Sequence, residues 1–392
     1  MNRHAARAGC LAALTLALVA VPSPAEARAA DASFRMPASY RSWKLDASAM
    51  RTTVSQLHLP FTTSVAMGTR ADLVVSGAMG FSSVKPDSGR TLTLDGPADV
   101  TAQAFLRAAG NRLLLQAGVN LPTGKRSLGA DQLAVTRALA HPLFAFRLKQ
   151  YGQGTDVNAG FAIALPLAPG VTFGVGAGRI FRGAYPLGDG MNDFEPSPET
   201  AISSGLNLGG EDGTRVAARL DAVYRLYGTD RQGGLDIFEP GNQTELQLTA
   251  RAGDRGLRAD VTGRLVRKAD DRFLSAVTEG EPLAMRAGAY SRFTAVVDAP
   301  VGGRLRAGLN AEWSGFSGSD LAGINIPGTD QIGINGSVYG GGPQLRLAWG
   351  RSGVFALGGS YLLGTLDAGD TTPQTDLTGF AAFCSLAWRT GP

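Results

Sequence analysis

The sequence is poor in the residues on which many soluble enzymes depend. Its 392 residues include only 2 cysteines, 3 histidines and 5 lysines. Beyond the N-terminus it has no apolar run long enough for a membrane-spanning helix, which needs about 18 residues. It also has no phosphate-binding loop, no dinucleotide fingerprint and no cluster with metal-ligand spacing. We therefore expect no helical span, no cofactor, no metal and no enzyme activity.

The sequence also lacks a strong net charge of either sign. The formal net charge is +4, and it falls to +3 if Arg3, Arg7 and Glu26 are removed with the N-terminal segment. The basic residues are mostly arginine and form no continuous run. A balance this small gives no reason to expect nucleic acid as a partner.

The N-terminus resembles an export signal. Arg3 and Arg7 precede an apolar stretch over 10–21, and Ala25-Glu26-Ala27 forms a small-residue cleavage site. Residues 1–27 are therefore predicted to be a cleaved signal peptide, with Ala29 and Ala30 as neighbouring cleavage positions. Because Cys10 would leave with it, Cys384 remains as a single cysteine and no internal disulfide is expected.

What the sequence does contain is alternation with a period of two residues. Over 214–226, Leu220 and Tyr224 share a parity with other apolar residues, whereas Arg219, Asp221 and Arg225 share the opposite parity. A helix, with 3.6 residues per turn, would mix these two sets. The segment is therefore predicted to be a strand with one apolar and one charged face.

Such segments recur about 16 times, and the connections between them alternate in length. Short turns rich in Gly, Pro, Asn and Asp, such as 108–111 and 166–170, alternate with long segments such as 122–156 and 228–242. This arrangement is typical of outer-membrane barrels, which have short periplasmic turns and long external loops. We predict an all-β fold, a closed antiparallel transmembrane β-barrel of 14 to 16 strands, located in the cell outer membrane after export. The predicted parts are a tail or plug at 28–42, the barrel at 43–388 and a C-terminal tail at 389–392.

The parity of each strand assigns side chains to the lumen or to lipid. The residues predicted to line the lumen and set its selectivity are charged: Arg107, Arg215, Arg219, Asp221, Arg225, Glu245, Arg258, Asp260, Arg264, Arg292, Arg304, Arg306, Glu312 and Arg346. They either select permeants with a lean toward anions or form a mutually paired, solvated wall. The aromatic residues predicted at the two membrane interfaces are Phe181, Tyr224, Trp313, Trp349 and Trp388.

The last strand offers a further indication of the compartment. Phe380, Ala382, Cys384, Leu386 and Trp388 share one face, which resembles the C-terminal signal by which outer-membrane barrels are recognised for insertion. Four residues follow the final aromatic, which departs from that signal. The expected partners are the barrel-assembly machinery, outer-membrane lipid and lipopolysaccharide, and a small-molecule permeant.

Two short stretches resemble a known group of transporters. LLLQAGVNLPTG at 113–124 and GQGTDV at 152–157, followed by an alternating strand, resemble the barrels related to the long-chain fatty-acid transporter and the phenol-degradation meta-pathway barrels. The resemblance implies passive uptake of hydrophobic or aromatic small molecules through a barrel partly closed by an N-terminal hatch. The Asn-Pro-Ala motif of that hatch is missing, so no ligand-binding residue is carried over. The alternatives are a general porin and a structural or adhesive barrel that acts through its external loops.

Two features allow more than one arrangement. The segment Asp131–Ala140, inside the long connection 122–156, has helix-forming residues and stops before Pro142. This connection either folds inward as a constriction or lies on the outer surface. His58 shares the lumen parity of its strand and His141 precedes Pro142; a barrel hydrolase would need one of them beside a serine or an aspartate.

Overall fold

The computed structural model describes residues 31–46, 51–209, 216–253, 256–278, 281–319, 335–350, 352–367 and 374–390. The predicted signal peptide and Arg215 lie outside these ranges. The described chain forms sixteen barrel strands, numbered here in chain order. They are β1 Ala32–Asp46, β2 Arg51–Met67, β3 Ala71–Pro86, β4 in two segments Leu92–Pro97 and Val100–Ala108, β5 Leu113–Leu121, β6 Asp156–Ala168, β7 Val171–Phe181, β8 Glu199–Leu208, β9 Val216–Tyr227, β10 Gln243–Gly253, β11 Arg258–Lys268, β12 Ala287–Pro300, β13 Leu305–Ser319, β14 Asn335–Trp349, β15 Gly353–Asp367 and β16 Thr375–Arg389.

The sheet closes on itself. Every barrel strand pairs antiparallel with its neighbours in sequence, and β1 pairs with both β2 and β16. Closure leaves no row of unpaired backbone groups along an edge, which a strand assembly surrounded by lipid requires. The prediction of a closed antiparallel barrel is confirmed, with sixteen strands rather than fourteen.

Alternation sorts the side chains as the sequence indicates. Leu220 and Leu309 point outward and are 49% and 67% exposed, whereas a soluble sandwich would have buried them. On the same strands Asp221 and Glu312 point inward and take part in ion pairs. An apolar outer surface around a polar interior is the arrangement of a transmembrane β-barrel.

The N-terminal tail or plug predicted for 28–42 is wrong for the residues that the structure describes. Ala32 onward belongs to β1, with Met36 and Tyr40 outward and exposed. Pro37 obscures this strand in the sequence, because proline cannot donate to a sheet ladder. The pairing of β1 with β2 is in fact interrupted where Pro37 and Pro60 lie, while the pairing with β16 continues past Pro37.

The two rims of the barrel differ. The rim that holds Ala32 and Arg389 carries short turns such as 68–70 and 301–304, and the other rim carries the long connections. At that rim the external loops form a second antiparallel sheet of six short strands. They also contain a short helix, Ser275–Thr278. The strands of this sheet are Tyr185–Pro186, Asp193–Glu195, Asp230–Gln232, Leu235–Glu239, Asp271–Phe273 and Leu283–Met285. No helix in the described ranges is long and apolar enough to cross a membrane.

The connection between β5 and β6, residues 122–155, lies inside the barrel, and we call it the inserted loop. It contains helix α1, Ala130–Ala140, and a 3₁₀ turn, Pro142–Phe144. Its apolar residues form one buried cluster with inward residues of β1–β4 and β13–β16. The cluster comprises Trp43, Leu45, Val54, Val84, Leu94, Leu128, Val135, Ala138, Leu139, Leu143, Phe144, Phe146, Tyr151, Phe316, Val338, Leu362, Leu366 and Leu377. A segment can touch eight consecutive strands of a barrel only from within.

This placement decides between two arrangements that the sequence leaves open for the loop. It also corrects the N-terminal hatch that the family resemblance implies. The described N-terminal residues form wall strand β1, and the segment that fills part of the lumen comes from 122–155 instead.

Candidate functional site: a cationic constriction in the lumen

Hydrogen bonds hold the inserted loop against the wall at its centre. The Trp43 indole donates to the Phe144 carbonyl over 2.9 Å, and both residues are buried. The Gln56 amide oxygen accepts from the backbone N–H groups of Arg147 and Leu148 over 3.1 and 3.0 Å, and its NH₂ donates to the Leu148 carbonyl over 2.7 Å. One glutamine on β2 therefore satisfies three backbone groups of the loop.

Further hydrogen bonds fix the two ends of the loop. Asp99 accepts from the backbone N–H of Gly124 over 2.8 Å and from that of Gln153 over 2.7 Å. The Tyr151 and Ser82 hydroxyls are 2.7 Å apart. The loop is thus tied to β2, β3 and the break in β4, which gives the lumen a constriction of defined position.

The two histidines of the described chain lie in different surroundings. His141 is fully buried, with its ring 4.8 Å from Phe144 and 5.7 Å from Phe316, and its Nδ1 accepts from the Leu143 N–H. Desolvation by burial, helped by the charge of Lys149, lowers the pKa of His141 to about 3. The His141 ring is therefore uncharged and packs against aromatic side chains. His58 lies apart on the inward face of β2, opposite Ser39 and Gly80.

Past the 3₁₀ turn, successive side chains of the inserted loop alternate between two environments. Phe146 is buried in the apolar cluster and Leu148 packs against it, whereas Arg147 and Lys149 are exposed to the lumen. The apolar pair holds the segment to one wall, and the cationic pair is presented toward the opposite wall.

Glu312 of β13 lies between two arginines, Arg41 of β1 and Arg292 of β12. Arg41 donates to its carboxylate over 2.8 Å and Arg292 over 2.7 Å. All three side chains are at least four-fifths buried. Because charges removed from water must be paired, this carboxylate serves chiefly to hold two guanidinium groups side by side.

Two further glutamates repeat the arrangement on β8 to β11. Glu245 receives two hydrogen bonds from Arg264, over 2.7 and 3.0 Å, and Arg225 lies 3.7 Å from it. Arg225 also donates to Glu199 over 2.6 Å, and Arg182 donates to the same carboxylate over 2.7 Å. Each acid again serves two arginines.

We call the resulting set the arginine belt. It consists of Arg41, Arg147, Lys149, Arg182, Arg225, Arg264 and Arg292 with Glu199, Glu245 and Glu312. Seven cations against three carboxylates leave a formal local charge of +4. Within the described chain, none of the ion pairs shorter than 4 Å includes Arg147 or Lys149.

Like charges approach one another in the belt. Arg264 and Arg292 are directly opposite on adjacent strands, an arrangement that destabilises a sheet unless acids compensate it. The surrounding protein partly desolvates Arg147 and Lys149 and lowers the pKa of both, and the charges of Arg292 and Arg264 respectively lower them further. The loop cations therefore lie near wall cations, and Arg147 also lies near the carboxylate of Glu312.

Other charged residues nearer the short-turn rim also form ion pairs. Asp221 pairs with Arg219, Asp260 with Arg251 and Arg258, and Asp298 with Arg306. Asp72 likewise pairs with Arg107, and Arg346 lies 3.9 Å from Asp298. Arg304 lies in the turn before β13 rather than on the strand.

The five aromatic residues assigned to the membrane interfaces all point outward. Phe181, Tyr224 and Trp313 lie in the external parts of their strands and are 53%, 42% and 40% exposed. Trp349 and Trp388 lie at the short-turn rim and are 66% and 51% exposed. Their positions form two levels, one toward each rim.

Of the lumen residues predicted from parity, the belt includes Arg225, Glu245, Arg264, Arg292 and Glu312. Sequence reasoning missed its other members. Arg41 lies in the segment 28–42 that is predicted to be a tail or plug, and Glu199 is not among the predicted lumen residues. The alternation of Phe146 and Leu148 with Arg147 and Lys149 is a local signal that this part of the loop packs on one side only.

Comparison with known proteins identifies no family. No protein-family model and no curated protein matches the sequence. Among solved structures, the chain is similar to OccK7 (OpdD) of Pseudomonas aeruginosa, with 11% identity and a TM-score of 0.43 over 92% of this chain and 100% of that one. It is similar to the outer membrane channel DcaP of Acinetobacter baumannii, with 10% identity and a TM-score of 0.43 over 93% and 99%. It is also similar to a deltaS2 mutant of the TodX monoaromatic hydrocarbon channel, with 11% identity and a TM-score of 0.44 over 93% and 91%. These similarities concern the fold and do not bear on the solute.

Proposed function

We propose that the protein is a passive outer-membrane channel for small anionic solutes, with organic carboxylates as the class that fits best. The observation that carries the proposal is the arginine belt, in which the inserted loop directs Arg147 and Lys149 toward Arg292 and Arg264. Charged side chains that line a narrow passage select permeants by sign, and arginine suits carboxylates through its paired donors.

Uptake of hydrophobic or aromatic molecules, which the family resemblance implies, has less support from this geometry. The large apolar residues inside the barrel are buried against one another; Trp43, Leu139 and Phe144 are 0% exposed. An apolar solute would therefore meet charged and amide groups along the described lumen surface rather than an apolar track. A neutral, evenly paired wall is also disfavoured, because the belt has a surplus of positive charge.

Charge reversal on the inserted loop tests the proposal. In planar bilayers with a potassium chloride gradient, we expect the unmodified channel to pass chloride in preference to potassium. Arg147→Glu/Lys149→Glu changes the formal charge of the belt from +4 to 0, so we expect the chloride-to-potassium permeability ratio to fall roughly tenfold. The reversal potential measures this ratio directly.

The matched control reverses two charges elsewhere on the same loop. Lys125 lies near the outer mouth and Arg137 on the exposed side of α1, so Lys125→Glu/Arg137→Glu should change the ratio by less than about twofold. Equal effects of the two double variants would show that the belt does not set selectivity. A folded barrel that passes no ions under any condition would instead favour the structural or adhesive alternative.

A further inference from the structure

A second part of the lumen, formed by β4, β5 and β6, has a different chemistry from the arginine belt. Its inward side chains are amides and a hydroxyl, which we call the amide wall: Thr101, Gln103, Gln116, Asn120 and Asn158. Together with the end of the inserted loop and Asp99 and Asp156, most of them line a cavity of about 350 Å³. This volume lies at the lower end of the range for small-ligand pockets, about 300–1,000 Å³.

Both carboxylates of the cavity are engaged by the protein itself. Asp99 accepts from two backbone N–H groups of the inserted loop and from the Asn120 amide over 2.9 Å. Asp156 accepts from the backbone N–H of Gly183 over 3.2 Å and lies near the charge of Arg182. The Thr101 hydroxyl donates in turn to the Asn120 amide oxygen over 3.0 Å. The wall groups that remain for a solute are therefore chiefly the amides of Gln103 and Asn158.

Glycines let the amides of this wall pack closely together. A methyl group at Gly118 would lie 2.8 Å from Asn158 Nδ2 and 2.9 Å from Gln103 Cγ, closer than such contacts occur. Only glycine therefore lets these two amides from neighbouring strands approach across β5. In the same way, a methyl group at Gly160 would lie 3.0 Å from Gln116 Nε2.

We propose that the cavity at the amide wall binds uncharged, polyhydroxylated solutes of the size of a mono- or disaccharide. A side-chain amide both donates and accepts hydrogen bonds, as each hydroxyl of a sugar does, so a row of amides suits a row of hydroxyls. The lumen then has two separate sites, one for anions and one for neutral solutes. This inference goes beyond the proposed function and does not depend on the sign of the channel's ion selectivity.

The test is block of ion current by glucose and sucrose in planar bilayers, supported by saturation-transfer NMR of the same sugars on the protein in detergent. We expect saturable block, and an NMR signal from the sugar, with the unmodified protein. Gln103→Ala/Asn158→Ala should raise the half-blocking concentration about three- to tenfold, because each lost hydrogen bond contributes modestly. Block by succinate, an anion without hydroxyl groups, should not change.

The control is Gln247→Ala, which removes an inward amide of β10 among charged neighbours. It should leave the block by sugars unchanged. The proposal is overturned if the unmodified protein gives neither saturable block nor an NMR signal, or if the control has the same effect as the double variant. It is also overturned if lysine blocks at lower concentration than either sugar and Asp156→Asn abolishes that block, because the cavity would then bind cations.

Discussion

Two sectors of the barrel share one rule of alternation and turn opposite chemistry inward. In β1–β4 and β14–β16 the inward residues of the external half are apolar, such as Trp43, Val54, Leu94 and Leu362, and they are buried by the inserted loop. In β8–β12 the inward residues at similar height are charged, such as Glu199 and Arg264, and they form ion pairs with other lumen residues. The first sector holds the loop in place. The second sector supplies wall charges of the arginine belt, to which the loop adds Arg147 and Lys149.

This difference shows how a fixed constriction is built. Apolar residues on the inward face of a barrel strand would be costly in a water-filled lumen, so their presence requires a covering element. Burial of large apolar side chains contributes roughly 1.5–3 kcal/mol each, which offsets the entropy lost by ordering the loop. The repulsion within the arginine belt is tolerated because the apolar sector stabilises the loop independently.

The strongest test of this difference removes the buried apolar residues that hold the inserted loop. We expect Trp43→Ala/Phe144→Ala to weaken loop docking by at least the 3–5 kcal/mol typical of one large aromatic truncation in a core. The loop should then leave the lumen for much of the time, and single-channel conductance should rise several-fold. Trp349→Ala, which truncates an outward residue at the short-turn rim, should leave conductance unchanged. Unaltered conductance in the double variant would show that the loop does not limit the current.

The charged sector can be tested by leaving its cations unpaired. Glu312→Gln removes the carboxylate that Arg41 and Arg292 share, and breaking a buried pair in this way costs about 3 kcal/mol or more. We expect a lower melting temperature together with a higher chloride-to-potassium permeability ratio. Glu239→Gln, which breaks an exposed pair with Arg272, should change neither quantity measurably. A stability loss without a gain in anion preference would make Glu312 purely structural.

Alternation in the sequence predicts the strand faces. The strand face of Leu220 and Tyr224, the outward row from Phe380 to Trp388 and the inward charges of β9 to β13 follow directly from a period of two. Alternation shows only that the two faces of a strand differ. It therefore identifies the barrel strands and the face of each strand that lines the lumen. It could not report which inward residues meet one another, because that depends on the register and curvature of the closed sheet.

The inserted loop was harder to predict, for a physical reason. Its placement depends on apolar residues far apart in the chain, such as Val54, Leu139 and Leu377, that meet only when the barrel closes. A local signal did exist: Leu362 and Leu363 are adjacent and apolar, so one must face the lumen. Apolar residues on both faces of an external strand segment indicate that something packs inside.

A smaller change tests the polar fastening of the loop. Gln56→Leu removes the acceptor of two loop N–H groups and the donor to one loop carbonyl, and each buried group left unpaired costs roughly 1–3 kcal/mol. The cost falls on the loop and not on the barrel, so we expect frequent brief increases in conductance at an unchanged melting temperature. Ser55→Ala, which removes the outward Ser55–Ser83 contact of 2.9 Å, should add no such events. Quiet recordings from the Gln56 variant would show that apolar packing alone fixes the loop.

The smallest expected effect is a pH dependence that originates in the apolar sector. The pKa of His141 is about 3 in the docked loop and about 6.5 when the loop is released. Because the released state binds the proton more readily, docking is fully favoured above pH 6.5 and weakens as the pH falls toward 3. At pH 5.5 the loss is about 1.4 kcal/mol, since one pKa unit corresponds to that energy.

We therefore expect the open-channel current to increase between pH 7 and 5.5, a window above the ordinary pKa of glutamates. His141→Leu should remove the increase, and His58→Gln should retain it. If the increase persists in His141→Leu, the proton acts in the water-filled sector and not on the buried anchor.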